Sequence, residues 1–310
     1  MTSRLTNSAS GYASSEYAAS LAEIGAPRWL SRSSCWVLER RIPRSSYRDV
    51  MGCYPLTICR NWEHLASDLA ELEPEFVCFS AVFDPFGAFD RDALATSFPD
   101  RALAFKEHFV VDLKLPQEQS VCAHHRRNAR RALGNVTVEH LSRPREYAEQ
   151  WCQLYANLIR RHGIRGFAAF SESSLVKQLD VPGTVAFRAV RGGETVGMVL
   201  WYVSGEVGYY HLGAYSELGY ELRAAFGLFR TSIDHFVTSG LRWLNLGGGA
   251  GISSNHEDGL SRFKRGWTTS SQTAFFCGKV LNPMKYQELV DQSNTRNTTF
   301  FPAYRVSNFT

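Results

Sequence analysis

The stretch Asp258-Gly259-Leu260-Ser261-Arg262-Phe263-Lys264-Arg265-Gly266-Trp267 sets an aromatic–lysine pair shortly after the glycine run Asn245-Leu246-Gly247-Gly248-Gly249. When an amine attacks an ester or thioester, negative charge builds on the carbonyl oxygen, and one ammonium held in a water-poor cleft stabilises it. Lys264 is the candidate for that ammonium. Phe263 is the candidate for its apolar wall and for a cation–π contact. The competing reading makes Arg262, Lys264 and Arg265 a solvated charge run on a strand edge.

Working outward, the glycine run lets backbone approach a ligand closely, so Gly248 and Gly249 are candidate substrate contacts; a plain strand-to-loop turn is the alternative. No Gly-Lys-Ser/Thr follows it, and Ile252 stands where a dinucleotide fingerprint starting at Gly247 needs glycine, so nucleotide binding by this loop is not expected. Upstream, His125-Arg126-Arg127-Asn128-Ala129-Arg130-Arg131-Ala132 reads as a basic helix, with Arg127 and Arg131 sharing one face and Arg126 and Arg130 a neighbouring one. Arginine forks suit phosphate, which makes these four the candidate donor- or phosphate-binding groups; a solvated linker helix is the alternative. Tyr209, Tyr210 and His211 fall on a predicted strand where hydroxyl and imidazole groups can orient an acceptor amine, and alternation sends Tyr209 and His211 to one face and Tyr210 to the other. Packing alone is the competing role, above all for Tyr210. Asp112, Glu257 and Asp258 are the carboxylates nearest these motifs and the candidate proton acceptors. His124 and His125 have no zinc-like partners in spacing, and Ser253-Ser254 sits outside any G-x-S-x-G pattern, so neither a metal nor a serine nucleophile is expected.

The chain has 310 residues, 44% of them hydrophobic, which predicts more than one packed core. Lys and Arg number 34 against 30 Asp and Glu; the resulting +4 is too small for nonspecific coating of nucleic acid but leaves room for a local basic patch. Seven cysteines, at 35, 53, 59, 78, 122, 152 and 277, form no C-x-x-C pair and leave an odd count, so they read as reduced thiols and suggest the cytoplasm. No apolar run reaches the length of a membrane span, and the N-terminus lacks an apolar signal core, so no membrane insertion is expected.

Residues 1–30 are Ser- and Ala-rich without apolar period, which predicts a flexible arm. Apolar runs at 54–59, 76–83 and 104–113, with a candidate helix at 62–72, predict mixed structure. The basic segment 121–133 ends at Gly134, where the domain boundary is expected. Beyond it, 136–138 predicts a strand, and Tyr147, Trp151, Leu154, Tyr155, Leu158 and Ile159 recur at helical spacing before Gly163. Runs at 184–190, 195–203 and 207–214, joined by Gly-containing turns, predict an antiparallel meander. A helix with Leu222, Phe226, Phe229, Ile233 and Phe236 on one face and a strand at 241–246 follow.

The order β-α-β-β-β-α-β, the basic helix and the Phe263-Lys264 motif together resemble the FemABX-like aminoacyltransferases and their acyltransferase relatives of the GNAT superfamily, over residues 104–280. The resemblance implies an α+β fold of two tandem GNAT-like domains, each a mixed, mostly antiparallel sheet flanked by helices, the first copy degenerate. The expected division is an arm at 1–30, an acceptor-side domain at 31–134, a donor-side catalytic domain at 135–280, and a C-terminal segment at 281–310 that returns to the first domain. It implies that the last two strands splay apart to admit the donor and that Phe263 and Lys264 lie at the donor site. It also implies an aminoacyl-tRNA donor, an amine acceptor on a peptidoglycan precursor or natural-product peptide, and no cofactor. Acyl-CoA is the alternative donor, although Glu221-Leu222-Arg223-Ala224-Ala225-Phe226-Gly227 has one glycine where a pyrophosphate loop has two small residues. A noncatalytic phosphate- or tRNA-binding module of the same fold is a further alternative.

Overall fold

The computed structural model describes residues 9–251 and 258–308. In chain order these form α1 (Ser15–Ser20), β1 (Ala26–Leu30), β2 (Cys35–Arg41), β3 (Arg48–Gly52), α2 (Leu65–Leu72), β4 (Cys78–Phe83), α3 (Arg91–Ser97), β5 (Arg101–Asp112), α4 (Gln117–Ser120), α5 (Ala123–Leu133), β6 (Thr137–Leu141), α6 (Ala148–His162) and α7 (Glu172–Gln178). Then come β7 (Thr184–Arg191), β8 (Glu194–Ser204), β9 (Val207–Tyr215), α8 (Glu217–Glu221), α9 (Ala224–Thr238), β10 (Trp243–Asn245), α10 (Gly259–Arg265), β11 (Ser270–Val280) and α11 (Pro283–Gln292).

Packing divides the chain into two units. One comprises Glu107–Arg165, Ala169–Gln272 and the described residues up to Glu16; the other comprises Tyr17–Lys106, Gly166–Ala168 and the described residues from Thr273 on. The division differs from a boundary at Gly134: the basic helix α5 belongs with the meander, because Ala129 and Ala132 are buried, Ala129 in the same core as Phe229 and Trp267. Its small side chains meet Gly227 of α9, where an added Cβ would touch Leu133 and Ala132 at 3.4–3.5 Å.

In the first unit the strands run β5-β10-β9-β8-β7-β6, all neighbours antiparallel except the parallel pair β9/β10. One face carries α9, whose buried residues Leu228, Phe229, Ser232, Ile233 and Phe236 repeat at helical spacing. Trp201 of β8 lies against Phe229 and Phe236 and donates its indole N–H to Ser232 Oγ at 3.1 Å. α6 buries Trp151, Cys152, Leu154 and Tyr155, carries Arg160, Arg161 and His162 in its last turn, where they complement the helix dipole, and stops at Gly163 with φ of +59°.

In the second unit the order is β1-β2-β3-β4-β11, again antiparallel but for one parallel pair, β3/β4. The two units therefore repeat one plan: a three-strand meander, a helix, a strand parallel to the last meander strand, then an antiparallel strand. In each unit that final strand comes from the other half of the chain, β5 from before the basic helix and β11 from after α10. This is the tandem GNAT-like arrangement, and the smaller helix α2 with its shorter strands is the degenerate copy.

The N-terminal segment departs from a flexible arm over its described part. In the first unit Gly11 N donates to Pro182 O at 2.8 Å and Tyr12 is buried against Tyr202 and Tyr209; in the second unit Tyr17 is fully buried. Burial of these two aromatic rings supplies the apolar area that the segment's period did not reveal. The run 54–59 also differs, making only isolated bridges at Thr57 and Cys59. The C-terminal segment packs in the second unit, where Tyr304 Oη and the Arg305 guanidinium both bond to the fully buried Asp49.

Candidate functional site

Lys264 sits on helix α10, not on a strand edge. Asp258 starts that helix by accepting from the amides of Leu260 (2.9 Å) and Ser261 (3.0 Å) and from the Ser261 hydroxyl. Burial alone would raise its carboxyl; the Ser261 hydroxyl and the amides of Ser261, Ala250 and Leu260 outweigh it and hold the group below the usual carboxylate range. Asp258 is thus a cap, and its proton affinity is lowered rather than suited to accepting one. Gly249 lies so close that a Cβ there would come within 2.2 Å of Ser261 Oγ and 2.6 Å of Asp258 Oδ2. That close approach locks the glycine run onto α10.

Adjacent residues on a helix point about 100° apart, and here the pair divides its labour. Phe263 packs into an aromatic knot with Phe226 and Phe229 of α9, Trp267, and His125 of α5. His125 Nε2 donates to Phe263 O at 2.7 Å, and burial lowers its basicity. It fits only because residue 266 is glycine, since a Cβ there would meet the ring at 2.1 Å. Lys264 turns the other way: 5% exposed, its Nζ donates to Gly248 O at 2.6 Å and lies 5.6 Å from the centre of the Tyr210 ring. The ring beneath the ammonium is therefore Tyr210, on the face opposite Tyr209 and His211.

This point is where the sheet opens. β9 and β10 pair as Val207–Tyr209 against Trp243–Asn245, and among the described residues no pairing of the two continues beyond Tyr209, although β9 runs on to Tyr215. Lys264 and Gly248 lie at that separation. β9 carries His211 as an extra residue opposite the Leu200–Trp201 step of β8, a bulge that shifts the register there. Asn245, the last paired residue of β10, is 1% exposed; its Oδ1 accepts from Gly247 N at 2.9 Å and lies 3.0 Å from His108 Nδ1. Its Nδ2 is buried with no hydrogen-bond partner among the described residues, which costs about 1–3 kcal/mol.

Other candidates are placed elsewhere. His211 is buried and saturated: Tyr12 Oη donates to Nδ1 and Nε2 donates to Gln178 Oε1, each at 3.0 Å, and burial lowers its pKa to about 3. Tyr209 is buried beside Tyr12. Asp112 pairs with Trp243 at the far end of the β5–β10 ladder, its oxygens taken by Arg242 Nη2 and the Lys114 amide at 2.9 Å each. Glu257, Ser253 and Ser254 lie outside the described residues. On α5, Arg126 is turned back onto the carbonyls of Glu118 and Val121, whereas Arg127, Arg130 and Arg131 are exposed with no carboxylate partner among the described residues. Among the described residues no cluster of metal-binding side chains occurs and no helix is long and apolar enough to cross a membrane.

A family model for the acetyltransferase (GNAT) domain matches residues 120–265, from the start of the basic helix to the end of α10. The chain also superposes on the crystal structure of FemX with a TM-score of 0.67, covering 89% of this chain and 93% of that one at 14% identity. Residues 120–265 thus carry a GNAT-type acyltransferase domain, and the chain has a FemX-like fold. The C-terminal domain of a putative lysylphosphatidylglycerol synthetase from Agrobacterium fabrum matches at TM-score 0.61 and 16% identity, over 87% of this chain and 88% of that one. L-PGS from Bacillus licheniformis matches at 0.56 and 17%, over 87% and 93%. No curated protein sequence matches. At these identities the structural relatives speak for the fold, and the GNAT model speaks for an acyl donor and an amine acceptor.

Sequence reasoning missed Tyr210 as the ring under Lys264, and it missed Asn245 and His108 altogether. Tyr210 was legible through strand alternation, which already set it opposite Tyr209. Asn245 gave one signal, a polar residue inside an otherwise apolar strand.

Proposed function

We propose that this acyltransferase takes its acyl group from aminoacyl-tRNA and joins it to an amine of a peptide, either a peptidoglycan precursor or a natural-product intermediate. In the reaction the acceptor nitrogen bonds to the ester carbonyl carbon and the carbon–oxygen bond to the terminal ribose breaks. The amine's proton ends on the released hydroxyl. Lys264 stabilises the oxyanion between these steps, its buried ammonium held at the opening of the sheet by Gly248 O. Tyr210 beneath it and the aromatic knot behind it keep the local dielectric low.

The choice of donor rests on the segment between β9 and α9, where a coenzyme pyrophosphate would need several convergent backbone N–H groups. There the amides of Gly219, Tyr220, Leu222, Arg223 and Phe226 are already spent on Ser216, Leu218, Tyr220 and Arg223. The Arg223 side chain is committed to Asn128 of α5. By contrast Arg127, Arg130 and Arg131 stand exposed on α5, suited to the phosphates of a tRNA acceptor end.

The test is transfer of a radiolabelled amino acid from charged tRNA to an amine-bearing peptide, with and without RNase. Transfer abolished by RNase is expected. Efficient transfer from acyl-CoA, indifferent to RNase, would overturn the donor assignment while leaving acyl transfer itself in place.

A further inference from the structure

We infer that Asn245 is a positioning residue for Lys264, acting through the Gly247–Gly248 turn; the inference deepens the proposed function and rests on Lys264 working at the reacting carbonyl. Gly247 has φ of +73°, and a Cβ at that position would lie 3.3 Å from Lys264 Nζ, so the turn both needs glycine and runs directly past the ammonium. The direction of the next carbonyl, Gly248 O, follows from that turn, and this carbonyl holds Nζ at 2.6 Å.

What fixes the turn is the Asn245 side chain. A backbone amide only donates, so the atom 2.9 Å from Gly247 N must be the oxygen of the side-chain amide. His108 Nδ1, 3.0 Å from the same oxygen, must then be its second donor. Both lone pairs of Oδ1 are used, one by the turn and one by β5, and the planar amide cannot rotate without losing both. The Phe109 amide holds the other side of the turn by donating to Gly247 O at 3.1 Å.

The unpartnered Nδ2 argues that this arrangement is kept for something other than stability. At a position 1% exposed, an aliphatic side chain would remove the orphaned Nδ2 but strip Gly247 N and His108 Nδ1 of their acceptor, so the asparagine is retained for its oxygen. The residue also stands at the last paired position of β10, where β9 and β10 part. A carbonyl anchored there sets where the ammonium stands at the opening.

The test reads Lys264 directly. In protein with 15N-labelled lysine side chains, the Lys264 ammonium resonance is assigned by its loss in Lys264→Ala, and its proton exchange is measured without substrate. Asn245→Ala is expected to accelerate that exchange about tenfold, as loss of a hydrogen bond to a charged group would. Asn245→Asp, which keeps an oxygen for Gly247 N and His108, is expected to restore it. With charged tRNA, Asn245→Ala should lower kcat toward about 10²-fold, the scale on which misplacement of a catalytic group acts, with KM little changed. If Asn245→Ala does not fold, His108→Phe tests the same pin from its other end and should also speed exchange. Unchanged exchange in the alanine or phenylalanine variant, or an aspartate variant no better than alanine, overturns the inference. Since exchange needs no substrate, loss of the tRNA reading leaves this result readable.

Discussion

At the scale of single residues, the chain holds Lys264 on the Gly248 carbonyl beside the Tyr210 ring, while its neighbour Phe263 packs against the core. Lys264→Ala should therefore leave the melting temperature almost unchanged and lower turnover by about 10²–10³, the usual loss for one preorganised donor; steady-state kinetics beside a thermal melt checks both. Phe263→Ala should behave in the opposite sense, since its ring packs on four aromatic neighbours: a loss of about 3–5 kcal/mol in urea unfolding is expected. His211 gives a pH signature. Its folded pKa of about 3 lies below the ordinary 6.5, so the unfolded chain binds the extra proton; the stability it contributes is complete above 6.5 and falls as pH drops toward 3. Each pH unit in that window should cost up to about 1.4 kcal/mol. Replacing His211 with glutamine should flatten that part of the stability–pH curve. Motif reading singled out Lys264, because an ammonium beside an aromatic is conspicuous in the letters. It assigned His211 to substrate, because the three partners that saturate it come from residues 12, 178 and 202.

Among the elements, α10 carries Lys264 and α5 carries the exposed arginines. α10 aims Lys264, and its cap is Asp258; Asp258→Ala should cost about 0.5–2 kcal/mol as a lost N-cap and loosen the glycine run against Ser261. α5 buries one face against α9 and presents arginines on the other. Reversing Arg127 and Arg131 to glutamate should leave the fold intact and weaken substrate binding more than it slows chemistry. It should also reduce the salt slope of tRNA binding by about 0.7 for each phosphate no longer neutralised; unchanged affinity and slope would make α5 a solvated helix only. The periodicity of the meander and of α6 and α9 was legible in sequence, since each buries a face whose spacing is its own signature. The segment 258–265 was not: seven helical residues make under two turns, too few for an apolar stripe to repeat, and what marks the helix is the cap geometry at Asp258.

On the scale of the whole molecule, the second unit is closed by its own polar lock. Asp49, fully buried, receives Arg40 Nε at 3.1 Å, two bonds from Arg305 and one from Tyr304. Arg305→Ala should cost about 3–5 kcal/mol, because a buried carboxylate loses one of its two cations, and should free the C-terminal segment to proteolysis; a cleavage rate equal to the unaltered chain would refute the lock. By itself the sequence determined the α+β class, the meander and its flanking helices, and the aromatic–lysine motif, all of which rest on local spacing and side-chain chemistry. Only the tertiary structure decided that β5 and β11 each complete the unit built by the other half of the chain, and that Tyr210 rather than Phe263 underlies Lys264. It also decided that Asn245 and His108 hold the turn beside the ammonium. Those outcomes depend on pairings between residues far apart in the chain, such as His108 with Asn245, and no local period or motif carries information across that separation.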